Sequence, residues 1–487
     1  MLTLLTTSLL SYDNSAPHSK LPPLGWSSWV ALGPGAKHPI FDFCDEFGVM
    51  EAMDAFHEVG LYDAGYRHFH LDDCWAGGRN KTGFLYPEVD HFPNGMKKVV
   101  DYAHSKGLSF GLYTCAGTKT CVGGRPGSKD HWTQDAQVFA EWGVDWVKMD
   151  WCNTDGMHPR EAYGNMSAAM NATKHHMHLN MCEWGREAPW EWGYDIAQSW
   201  RMSGDHTGRW SSTKSLIRQS AKIPDAYTGK AYGWNDMDML ETGNYEQAAH
   251  ANGKESNMTA AEYHTEFSMW AIAASPLVVT TPIMNCTVPL PKVDKCNITL
   301  ESQKSVSKCE EGKSFGCYDG EAKMWIEQGC RGSFTCDGIS GVDCDVDGQG
   351  RHECACAAPD APVSCKGWIS SLQKDILLNK EVLEINQDVT PQGRPIKPGD
   401  LSIWARHLSD GSCAVALYNE EDAPLQMSVQ FSDLGHGWGA TTKATVRDLW
   451  SKTDEGSFTG EYPSKGHGGV AIMPHATKLI RLTKAKA

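Results

Sequence analysis

Residues 144–152 read VDWVKMDWC. The run is short, apolar and strand-like, and on a strand side chains two apart face the same way. Lys148 and Asp150 therefore share a face at the end of the run. A cation beside a carboxylate favours its ionised form, which a nucleophilic carboxylate needs. The plain alternative is a structural ion pair.

Seven further runs of this kind surround it: PPLGWSSW (22–29), YRHFHLDDCW (66–75), LSFGLYT (108–114), HLNMCEW (178–184), IAQSWRMSGD (196–205), AYGWNDMDML (231–240) and SPLVVTT (275–281). Most are separated by stretches of helical periodicity. Phe47, Met50, Met53 and Phe56 recur on one face of 45–59, as do Tyr263, Phe267 and Trp270 in 259–274. Eight strand–helix alternations between residues 22 and 281 predict a (β/α)8 barrel. A doubly wound sheet is disfavoured because no Gly-rich fingerprint follows the first strand.

Nearly every strand ends in ionisable or aromatic residues, among them Asp72–Asp73, Asp150, Glu183, Asp205, Asp236 and Asp238. Barrel active sites gather at these strand ends. The same parity aligns His70 with Asp72 and Arg201 with Asp205. Two carboxyls placed across a saccharide are the equipment for glycoside hydrolysis. A metal centre built on His68, His70 and Asp72 would need ligands on later strands. His178 starts its strand, however, and SPLVVTT ends without a carboxylate, so neither metal nor cofactor is expected.

Composition bounds the rest. The 487 residues are 41% hydrophobic and 21% charged, as in a globular protein, and a net charge of −16 disfavours a nucleic-acid partner. No apolar run approaches the roughly 20 residues of a membrane span. Of 19 Trp, 14 precede residue 286, which suits an aromatic-lined sugar pocket. Seventeen Cys and six N-x-S/T sequons, at Asn80, Asn165, Asn171, Asn257, Asn285 and Asn297, point to the secretory route. Residues 1–20 read as a leader or signal-peptide remnant. Residues 286–365 hold ten Cys and read as a disulfide-rich insert, with Trp325 and Trp368 near or within it as candidate ligand-facing aromatics. The barrel then comprises 21–285 and 366–395, with a helical pattern in 370–388. Alternating runs across 396–487 predict a C-terminal antiparallel β-sandwich.

The motifs PPLGWSSW, LDDCW, VKMDWC, CEW, WRMSGD and WNDMDML, in this order, resemble glycoside hydrolase family 27, the α-galactosidases and α-N-acetylgalactosaminidases. The resemblance covers 21–285 and resumes near 367–487, leaving out the insert. It implies a retaining exo-glycosidase with Asp150 as nucleophile and Asp205 as general acid/base. It also implies that Asp72 and Asp73 bind the sugar's 4- and 6-hydroxyls and that Trp29 and Tyr113 line the pocket; Trp184 is a further candidate for substrate binding. Lys148, Arg201 and Asp238 complete the implied polar wall. Glu183 after the Cys resembles the galactosidases and would meet the 2-substituent. Cys44 matches a pairing with Cys74, and Cys121 one with Cys152; Cys115, Cys182 and Cys413 are left over, at least one of them unpaired. The partner implied is a carbohydrate with terminal α-galactose; the alternatives for the chain are an α-N-acetylgalactosaminidase or a barrel that binds galactosides without cleaving them. A homodimer is the assembly open to it, and a secreted or vacuole-like compartment its location.

Overall fold

Eight parallel strands carry the architecture: β1 (Leu24–Ser27), β2 (His68–Leu71), β3 (Ser109–Cys115), β4 (Trp146–Asp150), β5 (His178–Cys182), β6 (Ser199–Arg201), β7 (Trp234–Asp236) and β8 (Leu277–Val279). The computed structural model describes residues 20–31, 37–38, 41–42, 44–122, 124–228, 233–244, 257–287, 295–346, 350–356, 364–464 and 468–485. The apolar leader at 1–19 lies outside them. Each strand pairs with its sequence neighbour from β1 to β7, and β8 returns to β1 with Leu24 opposite Leu277. Past the end of β7, Leu240 bridges Val279 and closes the barrel.

Strand parity divides apolar from polar. Phe69, Leu71, Phe110, Leu112, Val147, Met149, Leu179 and Met181 form one buried set. The alternate set (His70, Lys148, Asp150, Asn180) is equally buried but polar. Neighbours in the same layer satisfy part of it, while the His70 ring nitrogens have no close hydrogen-bond partner among the described residues. Asn180 Nδ2 donates to Ser199 Oγ at 2.7 Å and to Asp236 Oδ2 at 3.0 Å, while His178 Nε2 lies 2.7 Å from Ser199 Oγ. A Cβ at Gly111 would sit 2.7 Å from His70 Nδ1, so glycine there makes room for the imidazole.

Helices Met96–Ser105, Trp132–Trp142, Pro159–Thr173, Trp210–Lys222 and Ala260–Ile272 connect successive strands. Between β5 and β6 the chain makes only two 3-10 turns, Pro189–Glu191 and Gly193–Asp195. Helix Ala260–Ile272 starts at a capping box, Thr259 with Glu262, and is buried on almost every side because sandwich strands also pack on it. Trp450 Nε1, from the sandwich, donates to its Ser268 Oγ at 2.9 Å.

Residues 370–388 form two helices, Ser371–Leu377 and Lys380–Asn386, the second capped by Asn379. The buried Arg406 guanidinium donates to the Asn386, Asp388 and Thr390 carbonyls at 2.8–3.0 Å and also to Ile385. It thereby satisfies carbonyls that the helix end leaves open. Beyond it lies a six-stranded antiparallel sheet ordered Arg394–Lys397, Asp400–His407, Cys413–Tyr418, Thr477–Lys484, Lys443–Asp448 and Thr453–Thr459. Two short ladders accompany it around an apolar core that includes Val415, Phe431, Trp438 and Ile480.

Barrel and sandwich belong to one compact unit (1–34, 60–282 and 369–487); residues 35–59 and 283–368 form another. In this second unit helix Glu46–Glu58 packs on strand Ser364–Gly367, where Gly367 N–H donates to Glu58 Oε2 at 2.6 Å. Phe47, counted on the apolar face of this helix, is 45% exposed instead; Val49, Ala52, Met53 and Phe56 are the buried face. Cys286–Cys365 ties Met284–Thr287 to Ser364–Gly367, and two three-stranded antiparallel sheets between them are stapled by Cys296–Cys317, Cys309–Cys330, Cys336–Cys356 and Cys344–Cys354. All ten Cys of the insert thus pair among themselves. Trp325 is not an open platform: it is 8% exposed, with the Arg351 guanidinium 4.0 Å from its ring centroid, whereas Trp368 is 42% exposed.

Candidate active site

Asp72 and Asp73 follow β2, and their adjacent carboxyls meet different surroundings. Asp72 Oδ2 accepts from Lys148 Nζ at 2.8 Å and lies 3.4 Å from His70 Nε2. Burial alone would raise the Asp72 pKa, but Lys148 and His70 outweigh it and hold the carboxyl well below its usual range. Strand parity joined Lys148 to Asp150; the ammonium's direct partner is Asp72, because β2 and β4 both flank β3 and aim these chains at one spot. Lys148 Nζ also sits 5.6 Å from the Trp29 ring centroid and 5.3 Å from that of Tyr113. Asp73 Oδ2 accepts from the Val122 amide at 2.9 Å, yet burial pushes this carboxyl up to about 7.

Asp150 ends β4. Its Oδ1 accepts from the Trp151 amide at 2.8 Å and its Oδ2 from the Tyr113 hydroxyl at 3.0 Å. Burial raises its pKa and the nearby Asp205 adds to the rise, while Lys148, the amide and the phenol oppose it. Three partners thus favour the charged form of a carboxyl that burial would neutralise.

Arg201, at the end of β6, is a two-way clamp. Its Nη1 lies 2.8 Å from Asp238 Oδ1 and its Nη2 3.2 Å from Asp205 Oδ1. The guanidinium is buried, whereas the Asp205 side chain is 65% exposed. Asp238 adopts a left-handed backbone (φ 81°), rare for a residue with a Cβ, and its carboxyl is raised by burial to about 6. The His206 amide and Arg201 hold that carboxyl in place.

Trp29, Asp72, Lys148, Asp150, Trp184, Arg201, Asp205 and Asp238 all line one cavity of about 280 Å³. Tyr113 and Asp73 back it through their bonds to Asp150 and Val122. Glu183 does not line it. Its side chain is fully buried, Oε2 accepts from the Glu187 amide at 3.0 Å, and burial raises the carboxyl to about 7. The cause is the turn that follows. Trp184 (φ 60°) and Gly185 (φ 72°) are both left-handed, and a Cβ at Gly185 would stand 2.1 Å from the Met202 carbonyl. This turn places Trp184, backed by Arg186 at 4.4 Å, on the wall instead.

Sequence reading missed further lining residues, among them Val122, His206, Met239, Glu241 and Thr280. His206 adjoins Asp205, and Glu241 follows the WNDMDML run, so adjacency was the available signal. The Cys121–Cys152 disulfide joins the loop carrying Val122 to the one following Asp150. Cys44 and Cys74 are each disulfide-bonded, and Cys115, Cys182 and Cys413 are buried free thiols. Cys115 and Cys182 stand opposite Asp150 on the strands at either side.

A closed parallel barrel with a polar, tryptophan-bearing cavity at its strand ends is the architecture of a barrel enzyme. Residues 21–293 match the family described as Alpha galactosidase A, and residues 398–482 match the Alpha galactosidase C-terminal beta sandwich domain. The chain belongs to the Alpha galactosidase A family. It is 32% identical to an alpha-galactosidase of Cyamopsis tetragonoloba, over 95% of this chain and 86% of that one. It is 31% identical to a probable alpha-galactosidase of Dictyostelium discoideum, over 99% and 98% respectively. Among solved structures, alpha-galactosidase I from Mortierella vinacea superposes with a TM-score of 0.70, covering 97% of this chain and 99% of that one. At 23% identity that likeness speaks for the fold.

Proposed function

We propose that this chain is a retaining α-galactosidase, releasing terminal α-linked galactose by double displacement. One observation carries the reading: Asp150 and Asp205 line the same small cavity in different environments. Asp150 is enclosed and supplied with hydrogen-bond donors, as suits a nucleophile attacking the anomeric carbon. Asp205 is open to solvent, as suits an acid/base that protonates the leaving oxygen and then activates water. Asp72 with Lys148, and Arg201 with Asp238, offer paired acceptors and donors to ring hydroxyls, and Trp29 offers an apolar face. The relatives' names support galactose as the sugar.

The first sugar released, followed by proton NMR, should be the α-anomer. The β-anomer as first product would exclude a covalent Asp150 intermediate. One observation keeps a second substrate under test: Glu183, the residue expected to exclude a 2-acetamido group, is turned off the cavity wall. Hydrolysis of the matched aryl galactoside and N-acetylgalactosaminide decides between them. Fourteen cysteines in disulfides support an extracellular or vacuolar location reached by the secretory route. Among the described residues no helix is long and apolar enough to cross a membrane.

A further inference from the structure

His206 directly follows Asp205 on the cavity wall, and its ring is held at both nitrogens. Its Nε2 lies 2.9 Å from Glu266 Oε1, its Nδ1 3.0 Å from Ser212 Oγ, and Trp270 packs with a centroid separation of 5.2 Å. A carboxylate only accepts, so Nε2 carries the proton toward Glu266. The His206 amide donates to Asp238 Oδ2 at 2.7 Å, and the Thr207 amide to Ser212 Oγ at 3.0 Å. Glu266, on helix Ala260–Ile272, has no exposed surface. It also accepts from the Glu241 amide at 2.9 Å and the Thr242 hydroxyl at 2.8 Å. One buried carboxylate on an outer helix thereby fastens the loop after β6 and the loop after β7.

Asp205 needs such an anchor. It is exposed, and its own contact with Arg201 is a single long one at 3.2 Å, so its direction depends on the backbone beside it. We propose that the His206–Glu266 pair is a positioning device that aims the Asp205 carboxyl at the leaving oxygen. The inference rests on the reading of Asp205 as acid/base, and its test is chosen so that the two can fail separately.

A general acid matters most when the leaving group is a poor one, and it contributes roughly 10²–10⁴-fold. Methyl α-galactoside demands protonation; 2,4-dinitrophenyl α-galactoside does not. The ratio of kcat/KM on the two, dinitrophenyl over methyl, is independent of how much of a preparation is correctly folded. His206→Phe, which keeps a ring against Trp270, and Glu266→Gln should each raise this ratio by about tenfold or more, toward the value of Asp205→Ala. Ser212→Ala leaves the buried pair in place and removes the far ring contact together with the acceptor of the Thr207 amide; it should shift the ratio the same way by about threefold. Inhibition by free galactose should stay within about twofold in Ser212→Ala, since Ser212 does not line the cavity.

Equal losses on both substrates would overturn the proposal, because a merely structural pair lowers both alike. Should the buried variants give no soluble protein, Ser212→Ala decides alone: an unchanged ratio there overturns the proposal, a raised one supports it. A ratio unmoved in Asp205→Ala would instead remove the acid/base reading on which the inference stands.

Discussion

Asp72 and Asp73 are neighbours in sequence, yet their environments drive them apart. An ammonium at 2.8 Å keeps one ionised, while burial against a single amide lifts the other to about 7. Glu183, also at about 7, and Asp238, at about 6, behave like Asp73. A carboxyl raised in the folded chain keeps its proton where the unfolded chain, with a value of about 4, has lost it. The folded state then binds more protons, so these three groups stabilise it fully below about pH 4, and that contribution fades as pH rises through 6–7. The melting temperature should accordingly fall between pH 5 and pH 8, by a few degrees. Asp73→Asn, which cannot ionise, should flatten the fall by about 2–4 °C. A melting curve indifferent to pH across this range, or an Asn variant with an unchanged slope, would refute the assignment of buried charge. Parity along one strand was enough to place Lys148 and Asp150 on a common face. It was not enough to find the ammonium's partner, which depends on which strand lies two places away. Glu183 failed for a different reason: two left-handed residues after it reverse the chain, and while Gly185 permits a turn, nothing in CEWGR announces that Trp184 adopts a positive φ as well.

At the scale of elements, the strands were legible because each is a short apolar run, most of them ending in a carboxylate, and all eight stand where such runs occur. The connections were less so. Residues 189–195 make two 3-10 turns in place of a helix, since Pro189 and Gly193 discourage a regular one. Helix Ala260–Ile272 shows only a narrow apolar stripe in sequence, yet is buried nearly all round, because its polar residues are used as well: Glu266, Thr265 and Ser268 each bond to another element. The loops after β3 and β4 depend on a covalent tie. Cys121 precedes Val122, whose amide holds Asp73, and Cys152 lies two residues past Asp150. The bond closes a loop with a sequence separation of 31, for which chain entropy gives about 3–4 kcal/mol. Cys121→Ser with Cys152→Ser should lower stability by that order and raise KM more than it lowers kcat, because Asp73 loses its fixed position while Asp150 keeps Trp151 and Tyr113. Denaturant titration and steady-state kinetics on an aryl galactoside check both halves. A double variant with wild-type KM would show that the loop needs no crosslink.

At the scale of the whole chain, the Cys-rich insert is the feature that neither the family's motifs nor the cavity requires. Its apolar core contains Phe315, Met324, Ile326, Phe334 and Val342 packed among half-cystines. Its ten Cys close on one another, so its order is self-contained, as expected of a small module with too little apolar surface for an ordinary core. Every residue lining the cavity lies in the other compact unit. The two ends of the module meet: Met284–Thr287 runs antiparallel to Ser364–Gly367, with Thr287 opposite Ser364. A two-residue Asn-Gly turn suits this junction, because its backbone matches the twist of paired strands. Replacing residues 288–363 by Asn-Gly keeps Cys286–Cys365 and the strand on which helix Glu46–Glu58 packs. The shortened protein should express in soluble form and hydrolyse an aryl α-galactoside with kcat/KM within about threefold of the full chain, as loop-borne additions usually allow. A parallel assay on a galactose-bearing polysaccharide then reads what the module adds: a selective loss there assigns it to recognising the aglycone, with the exposed Trp368 the first side chain to change. A loss of more than tenfold on the small aryl substrate, in protein with an unchanged melting temperature, would instead place the module within the catalytic machinery.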